Sequence, residues 1–215
     1  DTQGEQSNKW TVENSLESLR SINVWLLSIV ILSAYCGYKS VDNFSIYLVD
    51  VHKQTFSDSS KITTVIFWLR PISAFITGIL ADRFHRKDPS GRVIILTVLL
   101  VLTGIAQLLL AFTGTSNLYY ALVIILSAAA FAFALRAIYF SVFGGLKIPT
   151  HLVGTTVGIV SLVGFLPDVF FGYITGSLID SSPGPTGYTY TFIFTALCLI
   201  IGPTASHWLY RRVKV

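Results

Sequence analysis

The chain has 215 residues, 53% of them hydrophobic and only 12% charged, with 15 Lys and Arg against 11 Asp and Glu. Its mean hydropathy of +0.67 and its long apolar blocks, in place of amphipathic stripes, exclude an ordinary soluble domain, in which about a quarter of residues are charged. The excess of bases lies at the ends of those blocks, where topology determinants sit, so nucleic acid is excluded as a partner.

Residues 1–20 are polar, with Trp10, Leu16 and Leu19 as apolar anchors. They read as a cytoplasmic linker with a short interfacial helix over 12–19. The sequence contains no methionine, so Asp1 is not an initiating residue and the chain is expected to be part of a longer product. Residues 21–215 read as one transmembrane bundle. Six stretches have the length a bilayer requires: 22–51, 62–84, 93–112, 118–146, 152–179 and 188–210. Turn chemistry separates them at Ser57-Asp58-Ser59-Ser60, at Asp88-Pro89-Ser90-Gly91, over 113–117, at Pro149 and at Ser181-Ser182-Pro183-Gly184-Pro185.

Alternate ends of these spans differ in charge. One side carries Lys9, Arg20, Arg83, Arg86, Lys87, Arg92, Lys147, Arg211, Arg212 and Lys214, and the other only Lys53 and Lys61. This bias places both termini in the cytoplasm, with the bilayer, expected to be the plasma (inner) membrane, as an obligate partner. Lys39, Asp42, Arg70, Arg136 and Asp168 fall inside the apolar stretches, in spans one, two, four and five, while spans three and six carry no charge. Ionised side chains are costly against lipid, so those four spans are expected to share a wet or protein-lined interior, with three and six as lipid-facing supports. The charged-charged-plain order, repeated, predicts an all-α membrane protein of two inverted three-helix repeats.

One loop carries a motif. Gly78-Ile79-Leu80-Ala81-Asp82-Arg83-Phe84-His85-Arg86-Lys87 resembles the signature loop of the major facilitator superfamily, matching at Gly78, Leu80, Asp82, Arg83, Arg86 and Lys87 and departing at His85, where that family has glycine. The resemblance implies helices seven to twelve of a twelve-helix transporter, with residues 1–20 as the loop between halves and the N-terminal half as the missing partner. It also implies secondary transport by alternating access.

Arg70 is the leading candidate for solute contact. It lies twelve residues before Asp82, hence about 18 Å in from the cytoplasmic edge of a core about 30 Å thick. Pro71 next to it frees backbone groups beside a planar cation suited to bidentate capture of an anion. Arg136 falls at similar depth, with Tyr139 one turn on. A structural ion pair with Asp168 is the alternative to a role in solute or proton handling. Lys39 and Asp42, three apart, are placed to neutralise each other, with Tyr35, Tyr38, Asn43 and Tyr47 near them. Gly78, and Gly154, Gly158, Gly172 and Gly176 of span five, have the spacing of close helix packing.

Cys36 and Cys198 read as packing residues and the four histidines as interfacial side chains. No metal-ligand spacing, nucleotide loop or nucleophile-base arrangement is present, so no enzyme, cofactor or metal is expected. The expected partner is a small, anionic solute. The alternative is a non-transporting receptor or scaffold on the same fold, its buried charges permanently paired.

Overall fold

The computed structural model describes residues 18–88, 90–115, 117–146 and 152–213. Most of the expected linker, Lys147 and Pro149 lie outside the described residues. The protein is an all-α, six-helix membrane protein, with spans Ile22–Asp50, Phe56–His85, Gly91–Thr113, Leu118–Gly145, Val153–Ser181 and Pro185–Arg212.

The second span starts earlier than its hydropathy implies. The Thr55 side chain caps it, its Oγ1 accepting from Asp58 N (3.1 Å) and donating to Asp58 Oδ2 (2.8 Å). The Ser/Asp run expected as a turn is therefore the first helical turn, with the orphan N–H of Asp58 satisfied. The sixth span likewise begins at Pro185, whose missing N–H costs nothing in a first turn. Gly184 before it has φ +82°, and a Cβ at Gly187 would stand 2.5 Å from Ser182 O, so this turn is closed by glycine.

The first span packs mainly on the sixth and fifth, and the fourth on the third and second. The third and sixth pack on each other. Exchanging one with four, two with five and three with six maps these neighbours onto themselves. Each unit has three spans, so the second unit runs inverted relative to the first. Spans three and six each bury one face inside the bundle and expose aliphatics such as Val101, Ile105, Leu197 and Ile200 on the other. The spans with the least burial are two and five. Within this chain spans one and four are the most buried, while two and five present an open face.

Three of the four charge-bearing spans depart from α-helical geometry, the first and fifth within the span and the fourth at its end. The first changes to a 3-10 turn at Ser40–Asn43, the fourth to 3-10 at Tyr139–Gly145, and the fifth breaks between Gly164 and Pro167. Span three is continuous. The buried apolar side chains fall into two clusters, one holding Val24, Leu27, Leu96, Leu135 and Leu209, the other Phe44, Leu48, Leu110, Ile125 and Phe192. Ser40, Thr103 and Gln107, all fully buried and polar, come between the two sets of residues along spans one and three.

Hydrogen bonds tie the frame, as they must where lipid gives helices little hydrophobic reason to associate. Pro203 leaves carbonyls free one turn earlier in span six. Ser33 Oγ donates to Cys198 O (2.8 Å) and Leu199 O (3.3 Å), and accepts from Gly202 N (3.1 Å). A Cβ on Gly202 would lie 2.5 Å from Ser33 Oγ. At one end of the same two spans, Tyr188 OH donates to Asp50 Oδ2 (2.6 Å). Tyr47 OH donates there to Gly114 O (3.2 Å), so the His52 Nε2–H, 3.2 Å away, is the donor to Tyr47.

Burial holds the His52 imidazole below its ordinary range. The unfolded chain then takes up this proton first as pH falls, so stability is full at neutral pH and declines through about pH 6.5. Thermal melts of the full-length protein in detergent are expected to show an apparent Tm that drops between pH 7.5 and 5.5, with a shallower drop in His52→Gln.

Candidate functional site

The tyrosines of the first span organise the five intramembrane charges. Tyr35, Tyr38, Lys39 and Asp42 stand at positions i, i+3, i+4 and i+7, so they share one face of the span. That face meets span two at Arg70, span four at Phe133 and Arg136, and span five at Phe165 and Asp168.

Lys39 holds the acids. Its Nζ stands 2.8 Å from Asp42 Oδ2 and 3.6 Å from Asp168 Oδ1. Asp168 also accepts from Tyr35 OH through Oδ2 (2.9 Å). The helical pair expected between Lys39 and Asp42 is present, and the same ammonium reaches across to span five. The pairing of Arg136 with Asp168, expected as one alternative, is replaced: the first span packs against the fifth and brings Lys39 and Tyr35 to that carboxylate.

The arginines are held by rings. Arg136 Cζ lies 4.2 Å from the Tyr38 ring centroid and 5.7 Å from that of Tyr35. Arg70 Nη2 donates to Tyr38 OH (3.0 Å), and its Cζ lies 5.1 Å from the Phe133 centroid and 5.2 Å from that of Phe67. A guanidinium over a ring face gains about 0.5–2 kcal/mol, more where water is excluded. Among the described residues neither arginine has an ion-pair partner, so both keep donors for a ligand. Both are exposed, as are Asp42 and Asp168, so the cluster opens onto the face that spans two and five leave uncovered. Tyr139 is within electrostatic reach of Arg136 but is fully buried, its ring against Phe140 (4.7 Å).

Arg70 is the fifteenth of the 30 residues of its helix and Asp168 lies near the middle of span five, so the cluster stands at mid-depth. Counting the fixed charges, three cations face two carboxylates. The arrangement is suited to binding a small anion between two planar donors with aromatic walls. Tyr35 and Tyr38 were legible as helical neighbours of Lys39. Phe67, Phe133 and Phe165 were not, because aromatic residues are common throughout the chain.

The loop between spans two and three is built around Arg92. Its Nη2 pairs with Asp82 Oδ1 (3.0 Å) and its Nη1 donates to Ser141 O (3.4 Å), fastening spans two, three and four together. A Cβ at Gly91 would lie 2.6 Å from the Phe84 carbonyl, so glycine is required where the loop doubles back. Arg83, Arg86 and Lys87 are exposed. Gly78 differs from expectation: a Cβ there would meet nothing within 4 Å, and the same holds at Gly154, Gly158, Gly172 and Gly176. Their close approach is to nothing within this chain, because they lie on the spans with the open face. Gly164 does carry a tight contact, with Ile31 Cγ2 2.6 Å from its notional Cβ.

Comparison with known proteins finds relatives of similar membrane character. No family model matches the chain, and no solved structure does. From Escherichia coli (strain K12), "Inner membrane protein YqcE" is 26% identical over 211 residues, which cover 98% of this chain and 49% of that protein. "Inner membrane protein YihN" of the same organism is 22% identical over 197 residues, covering 91% and 46%. The chain thus spans about half the length of these two relatives. An uncharacterized protein of Mycoplasma pneumoniae is 23% identical over 198 residues, covering 82% of this chain and 88% of that one.

Lys39→Met leaves two carboxylates facing each other without a cation. The expected loss is about 1 kcal/mol for partly exposed pairs, or about 2–4 °C in Tm. Adding Asp168→Asn is expected to return part of it, which melts of the two variants and wild type check.

Proposed function

We propose that the chain is the C-terminal six-helix half of a secondary transporter of the major facilitator type, moving a small anion by alternating access. The observation that carries this reading is the pair of mid-depth guanidiniums, Arg70 and Arg136, seated on aromatic rings with no carboxylate partner among the described residues. A lipid-facing position for two such groups is energetically poor, whereas a solvated cavity between two halves accommodates them. The lengths of the E. coli relatives, the unpartnered glycines on spans two and five, and the signature loop support a second half covering this face. The gathering of Arg20, Arg83, Arg86, Lys87, Arg92, Arg211 and Arg212 at one end supports a cytoplasmic location for both termini. The inner membrane named for the relatives is the proposed location.

Arg70 and Arg136 would bind the anion, Lys39 with Asp42 and Asp168 would form the neighbouring ion set, and Tyr35 and Tyr38 would orient both. A second reading, a receptor or scaffold without transport, is favoured by one feature: the Lys39, Asp42 and Asp168 charges already satisfy one another.

Uptake of small organic and inorganic anions by the full-length protein in proteoliposomes separates the readings. Saturable uptake is expected, with Arg70→Ala and Arg136→Ala each raising KM about tenfold to a hundredfold, the value of charged hydrogen bonds of about 1.5–3 kcal/mol. Folded protein with no saturable uptake of any anion would favour the scaffold.

A further inference from the structure

Span three is apolar apart from a few threonines, Arg92 in its first turn and one amide, Gln107, which is fully buried. An amide in that setting is costly unless hydrogen-bonded. Gln107 Nε2 donates to Ser40 Oγ (2.6 Å), and Ser40 Oγ donates in turn to Gly37 O (2.7 Å). This chain of bonds ends on the backbone just where the first span leaves α-helical geometry for the 3-10 turn Ser40–Asn43. Lys39 immediately precedes that turn, and Asp42 lies within it.

Three further observations bear on the same point. Before the break the first span is seated tightly, since a Cβ at Gly37 would stand 3.1 Å from Leu199 and 3.2 Å from Thr103. After it, the span joins the second apolar cluster through Val41, Phe44 and Leu48, while Val24 to Ala34 belong to the first. The bond from Gln107 is also incomplete: among the described residues its Oε1 is buried with no partner, and so is Asn43 Nδ2. These are one acceptor and one donor, and Asn43 lies three residues from Ser40, where 3-10 geometry aligns side chains. Unmet groups of this kind hold back stability and suit a segment with a second arrangement.

We propose that Gln107 is a positioning residue for the solute site: it sets the break in the first span, and so the stance of Lys39 and Asp42, and the first span rearranges at that break. The consequence for transport rests on the anion-site reading above, but the hinge itself is tested without a solute. Ile46, exposed one turn past the break, is replaced by cysteine in the full-length protein in membrane vesicles, with all other cysteines replaced, and its rate of reaction with a water-soluble maleimide is measured. Gln107→Leu and Ser40→Ala are each expected to change that rate about fivefold, the population shift of one hydrogen bond. The double variant should change it no further than Ser40→Ala alone, because both variants remove the Gln107–Ser40 bond and Ser40→Ala also removes the bond to Gly37 O. A cysteine at Tyr173, exposed on span five, should react unchanged. An unaltered rate at position 46, additive single effects, or an equal change at position 173 would each overturn the proposal. If Gln107→Leu does not fold, Ser40→Ala removes the same bond from the other side and decides the question. A hinge response with no anion uptake would sustain the positioning role and count against the transport reading alone.

Discussion

Charge in the middle of a membrane span has to be answered by something other than lipid, and the rest of this structure follows from that requirement. Each Lys, Arg or Asp at mid-span costs about 2.5–3.5 kcal/mol on insertion scales. Five unanswered ones would consume a typical folding stability of about 5–15 kcal/mol. The structure answers them in two ways on one face of the first span. Lys39 gathers both carboxylates, and the two guanidiniums lie on the faces and hydroxyl of aromatic rings. The difference matters for function. A cation shared by two acids has little left to offer, whereas a guanidinium on a ring keeps its planar donors.

The sequence made the coarse plan visible and concealed the partners. Span number and length follow from apolar runs that no soluble fold needs, and the doubled charge pattern anticipated two three-span units. Which charge meets which could not be read, because that depends on how far the fifth span packs against the first. Asp168 therefore belongs to Lys39 and Tyr35 rather than to Arg136. The second span begins at Phe56 because Thr55 caps a polar turn, a local hydrogen bond that outweighs hydropathy. Glycine spacing promised close packing, yet Gly172 and Gly176 face open space while Gly164 meets Ile31. Spacing marks where a neighbour could approach closely, but not whether one does. Gln107 was the most legible of the missed residues, as a lone amide in an apolar span.

Irregular backbone gathers where the charges are. The first and fourth spans loosen into 3-10 geometry and the fifth breaks, while span three runs unbroken behind them. Such breaks expose carbonyl and amide dipoles, which is tolerable at membrane depth only inside protein or along a watered cavity. The same residues that complicate the helices thus build a polar interior, and the plain spans give it a stiff back.

The first and sixth spans are fastened at two heights, by Ser33 against the Pro203 turn and by Asp50 against Tyr188. Ser33 lies mid-span and Asp50 at its end, so the segment between them is held against sliding along its neighbour. What remains to it is to buckle, and the weak point between the pins is the turn at Ser40–Asn43. Any force applied along this pair of helices is therefore converted into a sideways displacement at the level of Lys39, in the manner of a toggle joint.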